Sequence, residues 1–220
     1  MGEYVTLKAM DGHALRAWRA APGGRPRGGL VVLQEIFGVT GHIRRITDDF
    51  AAAGYLAIAP SLFDRTRPGV ELGYDEIEPG RDIMTGLDRE NTVRDMIAAV
   101  DAVRSAGRVG AIGYCWGGAL ADLAACRCRV DAAVSYYGRH TVTWLDLQPA
   151  CPVMYHFGRL DPLIPPPTVA EIRLGRPDGI FHVYDEAGHG FNCDERHEYH
   201  EPSARLALER TLEFLRRHVG

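Results

Sequence analysis

No stretch of this 220-residue chain approaches the roughly 20 consecutive apolar residues that a membrane-spanning helix needs. That excludes a spanning helix as its working part, and no membrane partner is expected. The opening segment Met1-Gly2-Glu3-Tyr4-Val5 has neither a basic n-region nor an apolar h-region, so no secretory signal is expected. Basic excess is missing too. With a formal net charge of −4 the chain has little with which to release counterions, and nucleic acid is not expected as a partner. Lysine is almost absent, Lys8 standing alone among 25 lysines and arginines, which we read as compositional bias rather than function. The five cysteines (Cys115, Cys126, Cys128, Cys151 and Cys193) are odd in number and irregular in spacing, which argues against a disulfide framework. A reducing cytoplasm fits them better and suits a thiol that must stay free. There is no internal repeat, linker or low-complexity tract. Hydrophobic residues make up 46%, too many for a disordered chain, and residues 1–220 read as one domain with a single well-buried core.

What is present is alternation. Two short alternating segments, Tyr4–Lys8 and Leu15–Ala20, flank the turn signal Asp11-Gly12 and predict an antiparallel hairpin. Apolar runs at Leu30–Leu33 and Tyr55–Ala59 predict buried strands. Between them Ile43, Ile46 and Phe50 fall at helical spacing, ending at Gly54. Residues 61–87 show little periodicity and several Gly and Pro residues, as in a long excursion above a sheet. The run Val93, Met96, Ile97, Val100, Val103 restores a helix that Gly107 terminates. Strands follow near Ala132–Tyr136, Val153–Phe157 and Phe181–Tyr184. A last helix places Leu208, Leu212, Leu215 and Val219 on one face. Strands alternating with helices imply an α/β fold: a mostly parallel sheet covered on both faces in a three-layer sandwich.

The segment Ile112-Gly113-Tyr114-Cys115-Trp116-Gly117-Gly118 carries the most information. It has the spacing Gly-x-nucleophile-x-Gly, with cysteine at the centre. An apolar run precedes it and a helix-prone run follows. On a tight strand-to-helix turn the nucleophile takes strained backbone angles, and side chains two residues before and after it would collide. Such a turn lifts Cys115 over the sheet and leaves the Trp116 N–H at a helix start, aimed at an incoming carbonyl oxygen.

A nucleophile on such a turn needs a base and an orienter, which in α/β-hydrolases follow it in the order acid, then histidine. Gly158-Arg159-Leu160-Asp161-Pro162 places a carboxylate just past a strand, and Gly188-His189-Gly190-Phe191 places a histidine past the last strand. Both lie at the carboxyl ends of strands, where open α/β sheets build their sites. Of the nine histidines, His13 and His42 precede the elbow near turns, and His140 and His156 sit by or in strands, where structural roles are commoner. The series Cys193, His197, His200 resembles metal spacing, but no CxxC pair supports it and its intervening residues are charged; no metal or cofactor is expected. Gln34-Glu35-Ile36-Phe37-Gly38 directly follows a buried strand. Its Ile36 N–H is placed to be the second oxyanion donor. Glu35 would face the rim near Cys115, where its charge disfavours the thiolate while an imidazolium at His189 favours it. An exposed helix-cap or salt-bridge glutamate is the other reading of Glu35.

These residues resemble the dienelactone hydrolase, or carboxymethylenebutenolidase, family. The matching blocks are Val31–Gly38, Gly113–Gly118, Ser135-Tyr136-Tyr137-Gly138, Gly158–Pro162 and Gly188–Phe191, in family order across nearly the whole chain. The resemblance implies an α/β-hydrolase fold and a Cys–His–Asp triad at Cys115, His189 and Asp161. It also implies that Glu35 controls the thiol and that the Ile36 and Trp116 amides bind the oxyanion. The implied substrate is a small unsaturated lactone or activated enol ester, opened through a thioester by a monomer or small homo-oligomer. The sequence departs from the family's reference members at His189-Gly190-Phe191-Asn192-Cys193, where they carry an arginine shortly after the histidine; Arg65, Arg67 and Arg81 lie in the unaligned excursion. Two rival expectations remain: a broad carboxylesterase or thioesterase on the same scaffold, and a non-catalytic binding or thiol-redox protein.

Overall fold

The alternating N-terminal segments pair as expected. In the computed structural model, which describes residues 2–220, strand β1 (Glu3–Lys8) lies antiparallel to β2 (Ala14–Ala20) across the Asp11-Gly12 turn. The apolar runs become β3 (Gly29–Leu33), β4 (Leu56–Pro60), β5 (Val109–Tyr114), β6 (Ala132–Tyr136) and β7 (Val153–Gly158), each buried along its whole length. Burial of every residue rather than every second one is the mark of strands covered on both faces. With β8 (Ile180–Tyr184) they form one eight-stranded sheet in the order β1-β2-β4-β3-β5-β6-β7-β8, parallel from β4 to β8.

Helix α1 (Gly41–Ala52) and helix α6 (Glu201–His218) share one face of the sheet. Helices α3 (Arg89–Val103) and α4 (Trp116–Arg127) pack together on the other. The chain runs from β3 outward to β4, then crosses back to place β5 on the other side of β3. The carboxyl ends of β3 and β5 therefore flank the point where strand order reverses, and open α/β sheets leave a crevice there. Glu35 follows β3 and Cys115 follows β5. The topology alone brings those two segments together.

Three elements differ from expectation. Residues 61–87 are not featureless: a 3-10 turn (Leu62–Arg65) and helix α2 (Ile77–Gly86) lie within them. The Pro165-Pro166-Pro167 cluster starts helix α5 (Pro166–Gly175), because proline in the first turn sacrifices no intrahelical bond. In α6 Leu215 and, just past its end, Val219 are buried and Leu212 packs against the core as expected, but Leu208 is 43% exposed and the buried face continues through Ala204, Ala207, Thr211 and Phe214. Small alanines let the helix sit close to the sheet, and the leucine spacing misleads by one position. No helix among the described residues is long and apolar enough to cross a membrane.

Candidate active site

Cys115 is the only residue between the end of β5 and the start of α4, so one residue must turn the chain. It does so at φ 54°, ψ −115°, a conformation that costs a non-glycine residue on the order of 1–3 kcal/mol. The flanking glycines make the turn feasible. A Cβ on Gly113 would lie 1.9 Å from the carbonyl oxygen of Gly117, and one on Gly117 would lie 2.2 Å from that of Leu33. Trp116 opens α4, so its N–H has no intrahelical acceptor and faces outward with the helix dipole.

His189 and Asp161 meet Cys115 as the sequence predicts. His189 Nε2 stands 3.2 Å from Cys115 Sγ, and its Nδ1 stands 2.7 Å from Asp161 Oδ2. Asp161 is held in turn: its Oδ1 accepts from the Leu163 and Ile164 amides at 2.8 and 3.2 Å. The imidazole is buried, which disfavours its charge. The sulfur of Cys115 and the hydrogen bond to Asp161 more than offset that penalty, pushing its pKa up to about 10. Such a site can hold an imidazolium against a sulfur nucleophile at neutral pH.

Glu35 is not an exposed cap. It is 1% exposed, and neither carboxylate oxygen accepts a hydrogen bond from protein. Its countercharge is Arg196, whose Nη1 lies 3.7 Å from Oε1 and which also pairs with Glu198. The Arg196 guanidinium lies over the rings of Phe37 and Tyr74 and against the backbone of Gly190. Gly190 has φ +80°, and a side chain there would press on the guanidinium. Sequence reasoning missed Arg196. The available signal was that a buried glutamate needs a cation and that Arg196 is the first arginine after His189.

Tyr137 joins the parts. It is fully buried at φ 40°, its ring centroid is 5.2 Å from that of His189, and its hydroxyl has no partner. Burial raises its pKa well above the usual phenol value, and the charges of Glu35, Cys193 and Cys115 add to that effect.

Other candidates sort by environment. His156 is a structural histidine, bonded to Tyr184 and Thr211 within the core. His140 is half-buried on the 3-10 segment after β6, and burial, then the charges of Arg139, Arg81 and His189, push its pKa down. Arg65 is taken by Asp95 and Asp11, and Arg81 by Glu78 at 2.7 Å. Cys193 is buried, His197 is 91% exposed and His200 bonds Ser203, so these three do not converge. Among the described residues no cluster of three His, Cys, Asp or Glu side chains is arranged to hold a metal ion. A groove of about 380 Å³ between α1 and α6, lined in part by His42, Phe50 and Leu208, includes none of the triad residues.

Residues 15–219 match the model of the dienelactone hydrolase family. Carboxymethylenebutenolidase of Pseudomonas putida is 36% identical over 97% of this chain and 95% of its own length. Carboxymethylenebutenolidase 1 of Cupriavidus pinatubonensis is 30% identical over 98% of this chain and 97% of its own. Among solved structures, one from Klebsiella pneumoniae assigned as a dienelactone hydrolase superposes with a TM-score of 0.89 at 29% identity, covering 99% of both chains. A dienelactone hydrolase-like promiscuous phosphotriesterase from metagenomic libraries shares the fold, with a TM-score of 0.76 at 21% identity over 100% of this chain and 99% of that one.

Proposed function

The chain belongs to the dienelactone hydrolase family, and from that premise we propose that it opens an unsaturated lactone, or cleaves an activated enol ester, through a thioester on Cys115. The observation that carries this reading is the continuous contact Cys115–His189–Asp161 on a strained elbow. The substrate carbonyl oxygen sits between the Ile36 and Trp116 amides. The Cys115 thiolate attacks the carbonyl carbon and forms the C–S bond, while the amides hold the oxyanion. The carbon–oxygen bond then breaks, and the departing enolate oxygen takes its proton from the His189 imidazolium, which becomes neutral. In a lactone it remains tethered to the acyl group. His189 next removes a proton from water, which attacks the thioester and releases the Cys115 thiolate. Asp161 fixes the imidazole tautomer throughout.

Cysteine narrows the substrate. In the tetrahedral intermediate a thiolate is a better leaving group than an alkoxide, so a simple alkyl ester returns to starting material. An enolate competes successfully, and enol esters and enol lactones go forward. Glu35 acts on the thiol from the neighbouring loop, with Arg196 balancing its charge. This reading takes residues 1–220 as one hydrolase domain, needing no metal or cofactor and working where its cysteines stay reduced; all five are free thiols.

The test is a hydrolysis screen of unsaturated lactones, enol esters and p-nitrophenyl esters against a Cys115→Ala control. Turnover confined to activated oxygen leaving groups and absent from the control is the expected result. Equal turnover by a folded Cys115→Ala protein would overturn it.

A further inference from the structure

Next to Trp116, the residue that follows Cys115, the molecule holds a mainly apolar slot of about 270 Å³, with Thr85, Arg89 and Thr92 also in its lining, that none of the steps above uses. Its floor is one stripe of α4: Trp116, Leu120 and Leu123 recur at helical spacing and face the same way. One wall is the end of α2 and its exit, with Met84 and Leu87. The opposite wall is the 3-10 segment Arg139–Trp144, with His140, Thr143 and Trp144.

Two features tie this slot to the reacting atoms. Trp116 follows Cys115 directly, so the residue that offers an oxyanion amide also offers its indole to the slot. Helix α2 rests on the other oxyanion loop: a Cβ on Gly80 would come within 2.3 Å of the Ile36 carbonyl oxygen. Met84 stands one helical turn further, about 6 Å along the axis.

The walls are also fixed in place. The Trp144 indole N–H donates to Asp122 at 3.0 Å, and the Trp116 ring stacks on Phe63 at 5.5 Å. Such a cavity does not collapse when empty. A cavity of about 150 Å³ takes a benzene ring, so this one has room for a ring and a short tether.

We propose that this slot is a substrate subsite, and that it receives an apolar, ring-sized substituent of the ester or lactone. The proposal rests on the hydrolase reading above and narrows its substrate class: the preferred substrate carries a phenyl-like or alicyclic group beside the scissile bond.

The experiment compares vinyl phenylacetate and 1-phenylvinyl acetate with vinyl acetate, three enol esters that differ in where an apolar ring is attached. At least one ring-bearing ester is expected to exceed vinyl acetate in kcat/KM by about tenfold or more, the usual worth of a filled apolar pocket. Met84→Trp and Thr143→Trp, at positions exposed enough to accept the ring without disturbing the core, fill the slot from opposite walls and should each cut that ratio about tenfold. A second measurement needs no turnover. Benzylacetone, a ketone with no leaving group, should bind the Cys115→Ala protein in calorimetry and lose that binding when Met84→Trp is added. Hydrolysis with unchanged ratios in both filled variants, or benzylacetone binding that Met84→Trp leaves intact, overturns the slot and leaves the hydrolase reading standing. Slot-dependent binding of benzylacetone with no ester hydrolysed supports the slot and overturns the hydrolase reading. Neither binding nor hydrolysis overturns both.

Discussion

Two buried carboxylates in this molecule each face an arginine, and they are treated very differently. Asp122 is fully buried behind α4, and every lone pair direction is used. Arg176 donates from Nε and Nη2 at 2.8 Å, Trp144 donates its indole N–H, and Tyr155 donates its hydroxyl. The spare donors of Arg176 go to backbone carbonyls of Leu147 and Gly175. Glu35 is as deeply buried, yet it accepts no hydrogen bond and meets Arg196 only at 3.7 Å. A saturated pair locks strands and helices in one arrangement. An unsaturated one leaves its charge uncommitted at a cost in stability, and in the function proposed above that charge acts on the thiol at the sheet's rim.

The largest expected effect comes from the rim. Cys115→Ala or His189→Ala should lower kcat/KM by at least about 10⁴-fold, about 5.5 kcal/mol of barrier, because triad members act as a unit. Far-UV dichroism and thermal melting should show that both variants fold. Asp161→Asn should approach the same loss by favouring the wrong imidazole tautomer.

The saturated pair should behave in the opposite way. Arg176→Met strands a buried carboxylate and should cost about 3–5 kcal/mol in urea unfolding, with per-molecule activity of the folded fraction retained. Loss of activity without loss of stability would break the contrast between the two carboxylates.

Glu35→Gln keeps shape and removes charge. Unfolding free energy should change by no more than about 1 kcal/mol, since Arg196 retains Glu198. Iodoacetamide labelling of Cys115 should quicken by several-fold and turnover should fall about tenfold, as the like-charge repulsion and the timing it provides are both removed. Superimposable labelling curves with unchanged turnover would make Glu35 a second structural carboxylate.

A pH effect on folding accompanies the triad. The His189 pKa is raised from 6.5 to about 10, so the folded protein binds a proton that the unfolded chain releases. Its stabilising contribution should be complete below about 6.5 and vanish as pH rises through about 10. Urea midpoints for wild type and His189→Ala should differ most at the acid end of that interval. Prolonged EDTA treatment, finally, should leave turnover unchanged; loss restored by zinc would reopen the Cys193, His197, His200 series.

Much of this was legible in the residues because it rests on local chemistry. Hairpin signal, buried apolar runs and the Gly-x-Cys-x-Gly turn are determined within a few residues of chain, where steric exclusion leaves few conformations. Asp161 and His189 could be chosen because strand ends share one rim in any sheet of this kind. Helix α5 was hidden by its prolines, and in the first half of α6 the exposed Leu208 outshines the alanines actually buried, while Leu212, Leu215 and Val219 do face the core. Burial depends on what packs against the helix and not on its own periodicity.

The chain by itself determined the nucleophile, its turn, the alternation of elements and the order of the triad, since each is enforced by backbone sterics or by spacing along one element. Only the tertiary structure decided that Glu35 lies unbonded against Arg196, that His156 is sealed in the core, and that α2 and the segment after β6 leave an apolar slot beside Trp116. Those relations join residues from different elements, and their energies depend on desolvation and on three-dimensional distance, which spacing along the chain does not encode.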